Sequence, residues 1–436
     1  MASVERKPMA DRQHSAARGS RLFGNLPAVL KRWLAEMTRS TRWFALLACS
    51  AALLACDDDG PSAALEGSTP SAVAASAPAP SVSAPAPDHP KASKHALTRA
   101  EFVHLFVEAS EPDRYFFSDN YVSNETSYLQ VASALHKRAG RGGGYIGVGP
   151  EQNFSYVALL KPDLAFIVDI RRANAVEHLW YKALFEGASS RFSFLAELIG
   201  RAAPRTEERD APLKEILERV EALPKSDAGY ARIATRSRER IASWGVELSK
   251  SDLKLLASTQ QAFFDKGLSL AFELHEKNGR NYPSLKALLQ QTAPKDEVGG
   301  FLSSAASFQY VQQMQRENRI IPVVGDFGGE HALKRVGAEL RRRDLPVHTF
   351  YVSNVEQYLL EPQSWPKWVA NIAALPSNET SVFIRCYLDQ GKRHPNQLQG
   401  HRTATVLSSF DHFKWRTAKK PYKSFYEISS DGVLDP

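Results

Sequence analysis

The chain has 436 residues, 43% hydrophobic, 24% charged and 10% aromatic, which suits a globular body with one large core or two. Net charge is +7, but residues 1–56 alone carry nine Lys/Arg against three Asp/Glu, so the body is only mildly basic and its charge gives no ground for a nucleic-acid partner. Cys49 and Cys56 fall in that first segment, which leaves Cys386 alone in the body and excludes a disulfide framework there.

Met37 to Cys56 reads MTRSTRWFALLACSAALLAC. Arg39 and Arg42 form a basic start, and Trp43 to Leu54 is an apolar run too short for an ordinary membrane span. Leu53-Leu54-Ala55-Cys56 resembles a bacterial lipobox. The resemblance implies cleavage before Cys56, lipidation of its thiol and a lipoprotein of the bacterial cell envelope, with Met37 a candidate true start and residues 1–56 the leader. The alternative is a fortuitous apolar run in a cytoplasmic protein. Residues 57–96 are Ala/Pro/Ser-rich. Such a composition buries too little apolar surface to offset the entropy of ordering it, and is expected to be a disordered tether.

The body runs from 97 to 436. Thr98 to Ala109 reads as a helix with Phe102, Leu105 and Phe106 on one face and a Thr98–Glu101 capping box. Tyr115 to Tyr128 alternates aromatic with polar residues. Two readings stay open. In one, Ser123 or Asn124 caps a helix through Arg138. In the other the stretch is a substrate-facing loop over the glycine turn, with Asp119, Asn120, Asn124 and Glu125 as candidate contacts.

Tyr145 to Val148 is a short strand pattern closing on Gly147-Val148-Gly149. Pro150 and Glu151 open a helix through Leu160, stopped by Lys161-Pro162. Leu164 to Val168 is wholly apolar, as a buried parallel strand requires, and ends on Asp169. Asp169 lies 20 residues after Gly149, the spacing at which a second-strand carboxylate meets the ribose of a nucleotide-like cofactor. Arg171 and Arg172 follow at the same sheet edge. They either hold an anionic substrate or are solvated. An amphipathic helix is expected from near Asn174, with His178 a surface or core residue rather than a catalyst.

Residues 190–315 show helical periodicity and charge, as in Leu213–Leu223, Ser251–Phe272 and Tyr282–Leu289, and read as a helical insertion. The α/β pattern resumes with a strand at Ile320–Phe327, a helix at Glu330–Arg343, a strand at Val347–Asn354 and a further strand at Ser381–Leu388, in which Cys386 is a buried thiol. Gly149, Asp169, Asp326 and Asn354 then converge at one sheet edge, the layout of a doubly wound binding site.

This order of elements resembles a class I S-adenosylmethionine-dependent methyltransferase. The resemblance implies an α/β, Rossmann-like doubly wound, mostly parallel sheet with a helical insertion. It implies a cofactor, S-adenosyl-L-methionine, over Gly147 and Gly149, with Asp169 on the ribose, Asp326 near the adenine, and Ser353, Asn354 and Glu356 near the reactive methyl. Tyr145 stands where the family has an acidic residue, and Glu151 where it has a third glycine. The stretches GVGPEQNFSY, VVGDF and FYVSNVEQYL also resemble an uncharacterised bacterial family. Two functions follow as expectations: methyl transfer to an unknown acceptor, with Arg171 a substrate-facing candidate, or a non-catalytic lipid-anchored binding protein that keeps the fold. In both, the membrane is a partner through Cys56.

No metal is expected, since His401, Asp411 and His412 match no zinc spacing. No G-x-S-x-G elbow or Walker loop occurs, while Ser/His/Asp catalysis by residues that converge from distant parts of the chain stays open. The basic aromatic tail, Phe413 to Tyr426, either touches anionic lipid or packs its rings into the core.

Overall fold

Six strands form one sheet in the order β3-β2-β1-β4-β5-β6. They are β1 (Gly144–Gly147), β2 (Leu164–Asp169), β3 (Ile320–Val324), β4 (Val347–Ser353), β5 (Val382–Leu388) and β6 (Thr403–Ser409). The computed structural model describes residues 93–138, 142–204, 211–276, 279–294 and 298–434. The expected leader, Cys56 and most of the tether lie outside these residues. β1 to β5 run parallel and β6 is antiparallel to β5. The first five strands are those read from the apolar runs, and their parallel pairing puts all five C-terminal ends on one edge. β6 has no apolar run to mark it, because Thr403-Ala-Thr-Val-Leu-Ser-Ser is half polar; its threonines and serines are held by hydrogen bonds.

The body begins earlier than expected. The Ser93 and Leu97 amides donate to Glu317 and His95 is buried, so residues 93–96 pack with the body. Helix α1 (Arg99–Glu108) carries the capping box at Thr98 and buries Phe102 and Phe106. The helix expected after Asn124 is shorter. A 3-10 turn at Tyr128–Val131 leads into α2 (Ala132–His136) without a side-chain cap, because Ser123 Oγ is engaged by Gln152 and the Glu125 amide.

Helix α3 (Gln152–Leu160) connects β1 to β2, and α4 (Arg172–Gly187) follows β2. Every residue of α4 from Asn174 to Phe185 is buried, which corrects the amphipathic expectation. The insertion explains why. Its helices are α5 (Arg191–Leu198), α6 (Leu213–Glu221), α7 (Asp227–Ser243), α8 (Lys250–Lys266), α9 (Leu285–Leu289) and α10 (Ala305–Arg316), and four of them, α5, α7, α8 and α10, pack on α4. Lys182 of α4 is satisfied inside: it pairs with Glu186 at 2.8 Å and lies 5.0 Å from the Phe102 and Trp244 ring centres.

The chain closes with α11 (Ala332–Arg342) after β3, α12 (Glu356–Leu359) and α13 (Trp365–Ala374) after β4, and α14 (Phe410–Lys419) and α15 (Phe425–Ser430) after β6. In the tail Phe413, Tyr422 and Phe425 are buried while Trp415 is exposed. Cys386 is buried and free, as the apolar run around it implies.

Candidate functional site

Ligands of open α/β sheets bind at the carboxyl ends of the strands, where the strand order reverses. Here that point lies between β1 and β4. The glycine turn leaves β1 with Gly149 at φ +80°, a backbone that only glycine adopts without cost. Gly147 is required for a different reason: a Cβ there would overlap Asn153 Oδ1 and lie 2.7 Å from the Tyr145 hydroxyl. Asn153 holds the turn shut. Its amide donates to the Val148, Gly149 and Pro150 carbonyls at 3.0, 3.1 and 2.8 Å, and its oxygen accepts from Tyr145 at 2.9 Å. His178 Nε2 donates to the Gly149 carbonyl at 2.9 Å, and burial pushes the His178 pKa down to about 4. His178 is a core residue.

The Tyr115–Tyr128 stretch does lie over this turn. The Asn120 side-chain amide is 3.9 Å from where a Gly149 Cβ would be, and the Ser123 amide donates to Glu151 Oε1 at 3.3 Å. The loop is tied to the insertion as well: Ser118 Oγ donates to the Glu273 carbonyl at 2.7 Å and His275 meets Asp119 at 3.2 Å. Asp119 contributes its backbone carbonyl to Arg171, and Asn120 accepts from Arg171 Nη2 at 3.2 Å. Asn124 is half-buried beside them in sequence.

Glu125 is the centre of a buried polar network. Its Oε1 accepts from the Tyr351 hydroxyl at 2.7 Å and from Ser353 Oγ, and its Oε2 accepts from Gln152 Nε2 at 2.9 Å. Gln152 also bonds Tyr156 and Tyr351. Sequence reasoning named Glu125 but missed Tyr351, Gln152 and Asn153. The signal available was the polar pair Gln152-Asn153 opening an otherwise apolar helix.

Glu151, the residue before α3, is buried, and burial pushes its pKa up to about 7; its Oε2 has no hydrogen-bond partner. Glu177 on α4 is likewise buried and is held well above the usual carboxylate range by that burial.

Asp169 ends β2 as expected, but it is not free. Arg171 grips it with Nε and Nη2, and its own amide donates to Oδ1 at 2.9 Å. Both side chains are buried, so Arg171 is not solvated. Arg172 pairs instead with Asp252 of α8 at 2.8 Å.

Asp326 lies past the end of β3 in an open cleft of about 510 Å³, lined also by Glu111, Arg114, Gly329, His331 and Lys367. Asp326 bonds Arg114 at 2.5 Å. The Glu111 carboxylate accepts from the His331 and Ala332 amides at 3.1 and 2.7 Å, so it occupies the anion-attracting start of α11. Asn354 is half-buried and contacts Ser353 Oγ at 3.3 Å. Glu356 is fully buried and paired with Arg385 at 2.5 Å, with Trp368 donating to it at 3.1 Å. It braces α12, α13 and β5, and does not face a ligand.

A family model matches residues 120–432, from the loop over the glycine turn to the last helix. Its description is a domain of unknown function, DUF7790. The chain belongs to that family. No curated protein matches it. The family's span takes in all six strands, the insertion and every residue of the Glu125 network, while α1 lies outside it. Among the described residues no helix is long and apolar enough to cross a membrane, and no group of three or more His, Cys, Asp or Glu is placed to hold a metal.

Proposed function

We propose that this DUF7790 domain binds a small polar ligand at the carboxyl ends of β1, β2 and β4, and that the ligand is neutral or cationic rather than a phosphate ester. The gathering of Glu125, Glu151 and Asp169, all buried around the glycine turn, carries this reading. A helix N-terminus binds phosphate where its amides are open to it. At α3 the N-cap residue is the buried Glu151, whose carboxyl makes no bond to the helix amides and crowds the place a phosphate would take. Arg171, the basic group bound to Asp169, already has its carboxylate partner.

S-adenosylmethionine, a sulfonium cation, is the candidate supplied by the resemblance. The residues present do not fit it in the usual way. The flank of Gly147 is filled by Asn153 and Tyr145, and both Asp169 oxygens are held by Arg171, so ribose hydroxyls would have to displace an arginine. The methyltransferase reading keeps one specific support: Gly149, Asp169, Asp326 and Asn354 follow successive parallel strands in the order the resemblance implies.

Calorimetric titration of the full chain with S-adenosylmethionine and S-adenosylhomocysteine separates the two. Absence of heat at millimolar ligand supports the binding-protein reading. Saturable micromolar binding abolished by Asp169→Asn restores methyl transfer. Pyrophosphate should leave the melting temperature unchanged, and a clear rise would overturn the charge assignment. The anchoring of the domain through Cys56 is a separate proposal, tested by palmitate incorporation that Cys56→Ser should abolish.

A further inference from the structure

Ser353 ends β4 at the switch point with φ +51°, in the left-handed region that residues other than glycine rarely occupy. Backbone held in that state has a cost and persists only where its surroundings enforce it, often at functional sites. The β4–β5 register breaks at the same place, between Tyr351 and Ser353, so Val352 is the extra residue. Such irregularities re-aim a side chain next to active sites. Here the re-aimed group is the Ser353 hydroxyl. It is half-buried at the ligand-binding edge of the sheet and donates to Glu125 Oε1. Glu125 is in turn fixed by the Tyr351 hydroxyl and the Gln152 amide. The arrangement is a serine on a strand-to-helix turn, an acceptor within hydrogen-bond reach, and two groups orienting that acceptor, which is the general signature of an activated nucleophile.

We propose that Ser353 and Glu125 form a nucleophile–base pair that takes the acyl group of an activated ester or thioester. Ser353 Oγ forms a bond to the acyl carbon, the bond from that carbon to the leaving oxygen or sulfur breaks, and the serine proton passes to Glu125 Oε1 and on to the leaving group. Water then attacks the acyl carbon, the Oγ–carbon bond breaks, and the proton returns to Oγ through Glu125. A carboxylate is a weaker base than imidazole, which restricts the pair to acyl compounds with good leaving groups and excludes ordinary amides. This step does not depend on any nucleoside ligand. The groups facing Glu125 are Tyr351 from β4, Cys386 from β5, Tyr145 from β1, and Glu151, Gln152 and Tyr156 from the start of α3.

The test treats the full-length protein with a fluorophosphonate probe and maps the adduct by mass spectrometry, alongside p-nitrophenyl acetate hydrolysis. The expected result is one adduct on Ser353, lost in Ser353→Ala, and labelling slowed at least about 100-fold in Glu125→Gln. No labelling above Ser353→Ala, an adduct elsewhere, or wild-type labelling in Glu125→Gln overturns the proposal. If melting shows Glu125→Gln to be unfolded, Glu125→Asp decides, since it keeps the carboxylate and draws it back from Ser353 Oγ by one methylene. Labelling slowed at least about 10-fold in the folded Asp variant supports the pair, and wild-type labelling overturns it.

Discussion

Arg171 closes a two-pronged ion pair on Asp169, with Nε 3.0 Å from Oδ1 and Nη2 2.9 Å from Oδ2. The same guanidinium reaches Asp119 and Asn120, so one side chain joins the end of β2 to the loop over the glycine turn. Removing one member of a buried pair leaves a desolvated charge behind, at a cost of about 3–5 kcal/mol. Arg171→Ala should lose that much stability in urea unfolding, and the Asp169→Asn, Arg171→Ala double variant should recover part of it. A loss below about 1 kcal/mol in Arg171→Ala would show that the pair does not hold the loop.

Gly147 and Gly149 should fail for different reasons. Ala at 147 meets Asn153, and overpacking of this kind costs about 1–3 kcal/mol. Ala at 149 has open space but a left-handed backbone, worth about 1–2 kcal/mol. A double-mutant cycle with Asn153→Ala should show strong coupling for Gly147→Ala, where removing Asn153 relieves the overlap, and a smaller coupling for Gly149→Ala, whose carbonyl Asn153 only hydrogen-bonds. Equal coupling at both positions would contradict the geometry.

Glu151 makes stability depend on pH. Its folded pKa, about 7, lies above the unfolded value because burial disfavours the charged form. The folded state therefore holds the extra proton, and this contribution is fully present below about pH 4.5. It declines as pH rises through 7. Glu151→Gln keeps an acceptor for the Ser123 amide and removes the titration. The stability difference between Glu151→Gln and wild type should be near zero at pH 4.5 and should grow to a few kcal/mol in favour of the variant at pH 8. His178 works in the opposite sense. Its folded pKa of about 4 adds stability above its unfolded pKa that is lost as pH falls from about 6.5 to 4. A pH-independent difference would place the Glu151 carboxylate in water.

Glu356 separates bracing from function. Its carboxylate takes both prongs of Arg385, at 2.5 and 2.9 Å, inside the sheet layer. Glu356→Gln should destabilise by about 3–5 kcal/mol while labelling of Ser353 by the phosphonate probe stays within a few-fold of wild type under folding conditions. Loss of labelling in a well-folded variant would bring Glu356 into the site.

The sheet's parallel core and the edge formed by its carboxyl ends were legible in the chain's apolar patterning. Runs such as Leu164–Val168 and Ile320–Val324 are apolar throughout because both sheet faces are covered, and the residues that end them follow from the turn each strand must make. The same patterning marked Glu125 and Asp169 as polar groups beside the glycine turn. What those groups do depends on the folded arrangement. Asp169 meets Arg171 two residues away, and local spacing could have suggested that pair. But Glu125 meets Tyr351 and Ser353 more than 220 residues along the chain, and Glu356 of α12 meets Arg385 of β5. Hydrogen bonds of that reach leave no periodicity to read, because each is made by single side chains brought together by strand order. The insertion follows the same logic. Its helices were legible from their own periodicity, but that four of them pack on α4 and turn an amphipathic pattern into a fully buried helix was set by packing between segments that lie far apart along the chain.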